Sequence, residues 1–426
     1  MTNETVSSAS TRDRHLFGPG PKKLLTLDGG GVRGAISVAF LERIERLLSQ
    51  GRSTPVRLAD HFDFIGGTST GAVIAGALAL GYRTDQVKDF YVRLAPHAFK
   101  REFWRVPILQ ARFDARGLRR EIEGVVGDRT MSSDDVITGL GIVTKRMDTG
   151  SAWIITNNPR APYWNDGPGY IGNKHYKLAT LVRASTAAPN FFEPELLPIS
   201  ESSKVSETAA RPFEQPDIIR LMWAALEYLG LRRRAVIDPS DFGLFVDGGV
   251  SPHNNPALAF FHTVAWKPFH ICWPLGPDQL TVVSIGTGTH RPRLQLDQLG
   301  FARNAKLAFY ALMSLMSDAE TEVLSQMQWM GECPMPWPIN SEVGSLADET
   351  FPGGNLFRFL RYDVRLEQEW LKSALNIDIS AKEIVHFRTM DDPGIVNELF
   401  DIGRIAAERL VKPEHWVIST GAGAAG

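Results

Sequence analysis

FDFIGGTSTGAVIAGALAL, residues 62–80, is the stretch whose reading decides the fold. It opens with Phe62-Asp63-Phe64-Ile65, a short apolar run of the kind that forms a buried strand. It closes on an Ala- and Leu-rich run, 72–80, that predicts a helix. Between them Gly67-Thr68-Ser69-Thr70-Gly71 fits G-x-S-x-G. A strand that turns sharply into a helix needs glycines flanking the apex, because side chains there collide with neighbouring backbone. The following helix aims its N-terminal amides at the apex hydroxyl and favours negative charge developing there. The same five residues also suit an ordinary Gly/Ser turn opening a buried helix, so the reading needs partners elsewhere in the chain.

Working outward, the chain alternates the two periods. Short apolar runs at 23–27, 141–144, 153–155, 244–246 and 281–285 predict further strands. Helical patterns fall at 35–49, 84–94, 118–126 and 256–266, with a long one around 302–330. Strands alternating with helices imply an α/β fold with a largely parallel sheet covered on both faces. Residues 1–21 are expected to be a flexible tail ending in the breaker run Gly18-Pro19-Gly20-Pro21, and 413–426 a second tail. The body, 22–412, carries an insertion near 197–240 and an expected helical extension over 331–412.

Composition excludes several classes. Among 426 residues there are 46 Lys+Arg and 48 Asp+Glu, a net charge of −2. A protein held by nucleic-acid phosphates would show a basic excess, so no nucleic-acid partner is expected. Two cysteines, Cys272 and Cys333, are too few for a disulfide framework and fit a reducing cytosol. No Cys/His spacing suits zinc, so neither metal nor cofactor is expected. Residues 1–21 lack the basic-then-apolar pattern of a signal peptide, and no apolar run reaches the roughly 18 residues of a span. The expected location is cytoplasmic, at most peripheral on a membrane.

A second motif, Asp28-Gly29-Gly30-Gly31-Val32-Arg33-Gly34, follows the first strand and contains G-x-G-x-x-G. A dinucleotide site would want an acidic residue at the end of the second strand, roughly 20 residues on. Here a helix follows, and the second strand runs instead into the serine turn. The alternative is an oxyanion hole, since consecutive glycine amides can converge on one point with no side chains in the way. Arg33 adds positive charge nearby or pins the loop. A third motif, Asp247-Gly248-Gly249, ends the strand at 244–246 and sets a carboxylate at a sheet edge, although an Asp-Gly pair is usually a turn.

Together DGGGVRG (28–34), GTSTG (67–71) and DGG (247–249) resemble, in order, the patatin-like phospholipase family. Two more stretches resemble its blocks: Arg183-Ala184-Ser185-Thr186-Ala187-Ala188-Pro189 and Val283-Ser284-Ile285-Gly286-Thr287-Gly288. The resemblance covers about 22–330 and implies a three-layer α/β/α fold. It implies a Ser–Asp dyad without histidine, with Ser69 as nucleophile and Asp247 as base. Gly29, Gly30, Gly31 and Arg33 would form or support the oxyanion hole, and Gly34, Gly67, Gly71, Gly248 and Gly249 complete the motifs. The implied substrate is a phospholipid or acylglycerol, met at a transient membrane surface. Some bacterial members are switched on by a small nucleotide, although no residue here marks such an activator.

Rival readings stay open at this point. His253, His262, His270 and His290 all follow Asp247, the chain order of a Ser-Asp-His triad. A phosphate- or lipid-binding module, or a storage protein, would use the same fold without turnover. Residues 217–234, DIIRLMWAALEYLGLRRR, suit a core helix or a homo-oligomer contact better than a membrane-lying helix, which usually has a cleaner polar face. The Met-rich run 301–330 reads as a long core helix, and 163–167 as an exposed loop near the cleft rim. Asp391-Asp392-Pro393 reads as a helix start rather than a calcium loop.

Overall fold

The computed structural model describes residues 10–99, 112–200, 241–291 and 303–416. The chain enters through α1 (Thr11–Phe17) and β1 (Lys22–Leu27), then α2 (Gly34–Ser49) and the short α3 (Leu58–His61). β2 (Phe64–Thr68) leads directly into α4 (Thr70–Ala79), followed by α5 (Thr84–Ala98) and α6 (Ala115–Val126). A hairpin of β3 (Gly139–Arg146) and β4 (Ser151–Thr156) precedes α7 (Leu178–Ser185), β5 (Glu195–Pro198) and β6 (Phe242–Asp247). Then come α8 (Ala257–Ala265), β7 (Leu280–Ile285) and the long α9 (Arg303–Met330). β8 (Gly331–Glu332), β9 (Phe357–Tyr362), α10 (Gln368–Leu375), α11 (Ala381–Phe387) and α12 (Val396–Leu410) complete the chain.

The nine strands form one sheet in the order β5-β6-β3-β2-β1-β7-β9-β8, with β4 beside β3. The centre, β3 to β9, is parallel, while β4, β5 and β6 join antiparallel. Alternation along each central strand builds two cores, since successive side chains point to opposite faces. Leu25, Leu27, Val283, Ile285, Leu360 and Tyr362 pack with α2, α4 to α7 and α12. Leu24, Val282, Phe357 and Phe359 pack on the other face against α1, α8 and the C-terminal part of α9. The fold is therefore the three-layer α/β/α arrangement expected. α4 is buried along its whole length between sheet and helices, which explains its small, uniformly apolar sequence.

The feature that positions the site is a shared strand edge. β4 occupies one edge of β3 over Gly141 to Arg146. On the other edge β2 pairs parallel as far as Thr68 opposite Val143, and β6 pairs antiparallel down to Asp247 opposite Thr144. The C-terminal ends of β2 and β6 thus meet head to head on neighbouring residues of β3.

Three boundaries differ from expectation. Residues 10–17 are not tail: α1 is capped by the Ser10 hydroxyl, Leu16 is fully buried, and Trp273 Nε1 donates to the Leu16 carbonyl at 2.8 Å. The 331–412 extension is not only helical, because β8 and β9 extend the central sheet, and the end of the fold reaches the buried His415, hydrogen-bonded to Tyr362 at 2.8 Å. β2 begins two residues later than the apolar run suggested and continues through Gly66 and Gly67, which pair with β1 and β3. In the 163–167 loop Trp164 is buried, with the Arg12 guanidinium over its ring, although Tyr163 is exposed. The helix expected at 217–234 lies outside the described residues.

Leu16→Ala tests whether α1 belongs to the core. Emptying that site is expected to cost about 2–5 kcal/mol in urea unfolding. An unchanged midpoint would return residues 10–17 to the status of a tail.

Candidate active site

Ser69 stands at the apex between β2 and α4 with φ 54° and ψ −123°, backbone that a side-chain-bearing residue adopts only when its surroundings impose it. The turn is tight enough that a Cβ on Gly67 would lie 2.2 Å from the Gly71 carbonyl carbon. The Ser69 N–H donates to Ser185 Oγ at 2.8 Å, and the Ser185 hydroxyl donates to the Val143 carbonyl at 2.6 Å. The elbow is therefore clamped to β3 through α7.

Asp247 arrives from the opposite side. The Ser69 hydroxyl donates to its Oδ2 at 2.6 Å, and the Gly249 N–H donates to its Oδ1 at 2.7 Å. Its own N–H donates to the Ala187 carbonyl at 3.0 Å. The 183–189 block thus holds both residues, Ser185 gripping one and Ala187 the other. Asp247 is buried, and burial pushes its pKa up to about 6, against the hydrogen bonds from Ser69 and Gly249 and the charge of Arg183.

The glycine loop lies beside them. A trans peptide points its N–H opposite to its C=O, so the acceptors tell where the amides aim. The Gly29 carbonyl accepts from Thr287 Oγ1 at 2.8 Å, and the Gly30 carbonyl from the Arg33 N–H at 3.2 Å. The Gly30 and Gly31 N–H groups face the other way and meet no acceptor among the described residues. Gly31 has φ +58°, and its carbonyl is held by Tyr91 and, at 3.1 Å, by Thr70. Gly29 and Arg33 do not join them. The Gly29 N–H already donates to the Asn254 carbonyl at 3.1 Å. Arg33 turns behind the loop, bonding the Gly30 carbonyl at 3.5 Å and His290 Nδ1 at 3.1 Å. Of the motif residues, Ser69, Asp247, Gly30, Gly31 and Gly249 line one cavity, whereas Gly29 and Arg33 line a neighbouring polar one. Gly34, Gly67, Gly71 and Gly248 are packing positions around it.

That first cavity is walled mainly by apolar side chains: Leu94, Phe99, Phe191, Phe192, Leu312 and Met316 among others. Its apolar lining suits an acyl chain, and burial at its wall is what raises the Asp247 pKa. Among the described residues no histidine lines it. His253 meets the elbow through its backbone carbonyl, which accepts from Thr68 Oγ1 at 2.6 Å, and His262 stacks on Trp266. Among the described residues no cluster of three or more His, Cys, Asp or Glu has metal-binding geometry.

Several supports escaped the sequence. Asp28, at the root of the glycine loop, accepts from Arg361 at 2.7 Å; Arg361 also bonds Asp363 at 2.6 Å and Ser284 Oγ at 2.8 Å. All four are buried, and burial pushes the Asp28 pKa up to about 7 against the pull of Arg361. Arg361 and Asp363 lie on and just after β9, in a region where no motif was visible. The only available signal was charge, Arg361 and Asp363 beside Arg358, in a strand sequence otherwise made of Phe, Leu and Tyr.

A family model described as patatin-like phospholipase matches residues 25–261. The chain is similar to a cUMP-AMP-activated phospholipase of Escherichia coli, 31% identical over 186 residues, 43% of this chain and 52% of that protein. It is similar to Patatin-like protein 2 of Arabidopsis thaliana, 24% identical over 292 residues, 63% of this chain and 60% of that protein. The chain spans about half the length of the bacterial phospholipases it matches. Among solved structures, VipD of Legionella pneumophila aligns with 90% of this chain and 67% of its own at 12% identity, with a TM-score of 0.32, too loose to carry an argument.

Arg361→Met leaves two carboxylates buried without their cation. The expected loss is about 3–5 kcal/mol of unfolding free energy at neutral pH. A variant as stable as the parent would show that Arg361 does not hold the glycine loop.

Proposed function

The chain belongs to the patatin-like phospholipase family, and on that premise we propose that it is a serine acyl hydrolase that cleaves fatty-acyl esters of membrane lipids. The observation that carries the proposal is the 2.6 Å hydrogen bond from Ser69 Oγ to Asp247 Oδ2 at the wall of an apolar cavity. In the proposed reaction Ser69 Oγ attacks the ester carbonyl carbon while its proton passes to Asp247. The oxyanion is received by the Gly30 and Gly31 N–H groups. Collapse expels the alcohol portion, which takes the proton back from Asp247 and leaves acyl-Ser69. Water then gives a proton to Asp247 and attacks the acyl carbon; the bond to Ser69 Oγ breaks as Oγ takes that proton back from Asp247, which releases the fatty acid and restores both residues.

An aspartate at its ordinary pKa of about 3.9 is a weak base for this step. Burial, by raising Asp247 toward the working pH, strengthens it. The carboxylate form is the active one, so the rate falls as pH drops through about 6. The triad reading has no histidine in the cavity to support it among the described residues.

Contact with lipid is proposed to be transient. Among the described residues no helix is long and apolar enough to cross a membrane. Leu307, Leu312 and Leu315 of α9 are exposed, and Leu312 also lines the cavity, which favours docking of this rim on a lipid surface. A small nucleotide activator, by analogy with the Escherichia coli relative, is part of the proposal.

The test is fatty-acid release from mixed phospholipid vesicles, with and without cUMP-AMP. Ser69→Ala is expected to lower release at least about a thousandfold. Asp247→Asn is expected to lower it about 10²–10⁴-fold. Equal release by all three proteins would end the hydrolase reading. For the wild type, log kcat/KM should decline below about pH 6, and a flat profile from pH 4 to 8 would remove Asp247 as base.

A further inference from the structure

Glu320 takes no part in the reaction just described, yet it meets the site from behind. It lies on α9, on the helix face of Met313 and Met316, which line the cavity with Ser69. Its Oε1 accepts from the side-chain amide of Asn254. That bond sets the amide's orientation, because only the nitrogen can face a carboxylate.

Asn254 in turn touches both catalytic loops. Its carbonyl accepts the Gly29 N–H at 3.1 Å, at the start of the glycine loop. Its Oδ1 sits where a Cβ on Gly29 would lie 2.4 Å away and one on Gly249 2.9 Å away. The side chain is therefore a wedge between the glycine loop and the turn that carries Asp247. The preceding residue, His253, receives Thr68 Oγ1 at 2.6 Å, one residue before Ser69. One short segment, 253–254, thus gauges the distance between nucleophile, base and amide donors, and Glu320 is its anchor.

We propose that Glu320 is a positioning residue for the acyl-transfer site: by holding the Asn254 amide it fixes the gap between the glycine loop, whose Gly30 and Gly31 amides are the donors, and the 247–249 turn, and so couples the seat of α9, which lines the cavity, to the geometry of the oxyanion hole. The proposal rests on the hydrolase reading for its kinetic consequence but not for its structural one. Misplacing amide donors weakens transition-state binding without weakening acyl-chain binding, because the chain's apolar wall is untouched.

The experiment compares the full-length wild type with Glu320→Ala, which removes the acceptor, and Glu320→Gln, which keeps an Oε1 acceptor. On a soluble p-nitrophenyl ester, kcat is expected to fall about tenfold or more in Glu320→Ala with KM within about threefold, and to return to within about threefold in Glu320→Gln. Amide hydrogen exchange of the segments holding 28–34 and 247–251 is expected to accelerate about fivefold or more in Glu320→Ala alone. The proposal is overturned by an unchanged kcat in Glu320→Ala, by a loss confined to KM, or by Glu320→Gln behaving as Glu320→Ala. If the wild type cleaves no ester, the hydrolase reading fails by itself. The exchange contrast then still decides: acceleration in Glu320→Ala alone upholds the positioning role, and equal exchange overturns it. Should Glu320→Ala not fold, Asn254→Asp, of the same shape but unable to donate to Glu320, carries both measurements with the same expected losses.

Discussion

Two strand ends meeting on one edge of β3 are the constraint on which the molecule turns. Thr68 ends β2 opposite Val143, and Asp247 ends β6 opposite Thr144. Because β2 runs parallel and β6 antiparallel to β3, their C-termini approach each other, and the next residue of β2's chain meets the last of β6. Backbone ladders fix that approach far more firmly than side-chain rotamers do, so the 2.6 Å bond between Ser69 and Asp247 costs little further ordering. Val143 also takes the Ser185 hydroxyl that secures the Ser69 amide, which makes this part of β3 the common ruler.

In the proposed reaction the apolar cavity serves three ends with one physical property. Excluding water would offer a favourable place for an acyl chain, and burial raises the free energy of the Asp247 carboxylate, which would make it a better base. The same exclusion would strengthen the pull of the Gly30 and Gly31 amides, the proposed donors, on a developing oxyanion. A more polar wall would weaken all three effects together.

Behind the glycine loop the logic reverses. Asp28, Arg361 and Asp363 form a buried ion cluster, an arrangement that contributes little net stability because desolvation offsets attraction. What it supplies is direction: a charged pair with fixed bond lengths tolerates few alternative loop shapes. Its cation comes from β9, beyond the span matched by the family model, so the C-terminal part of the chain supports the glycine loop of the N-terminal part.

By itself the sequence determined the three loops. GTSTG, DGGGVRG and DGG are legible because the steric demand for glycine at a sharp turn or a close approach is local to a few residues. The parallel sheet was legible from periodicity for the same reason, since burial on alternate or every third residue is written along the chain. Tertiary structure alone decided the rest. Residues 10–17 read as tail until Trp273, 257 positions away from Leu16, supplies their anchor. The apolar cavity is assembled from side chains of α4, α5, α6 and α9 and the loop after α7, none of which marks it separately. The sequence left open whether Arg33 adds charge at the site or pins the loop, and the fold turns it behind the loop, because which amide or guanidinium faces the hydroxyl depends on where distant partners such as Thr287 and His290 stand. Local sterics are encoded in neighbours; convergence of groups hundreds of residues apart is encoded only in the strand order that brings them together.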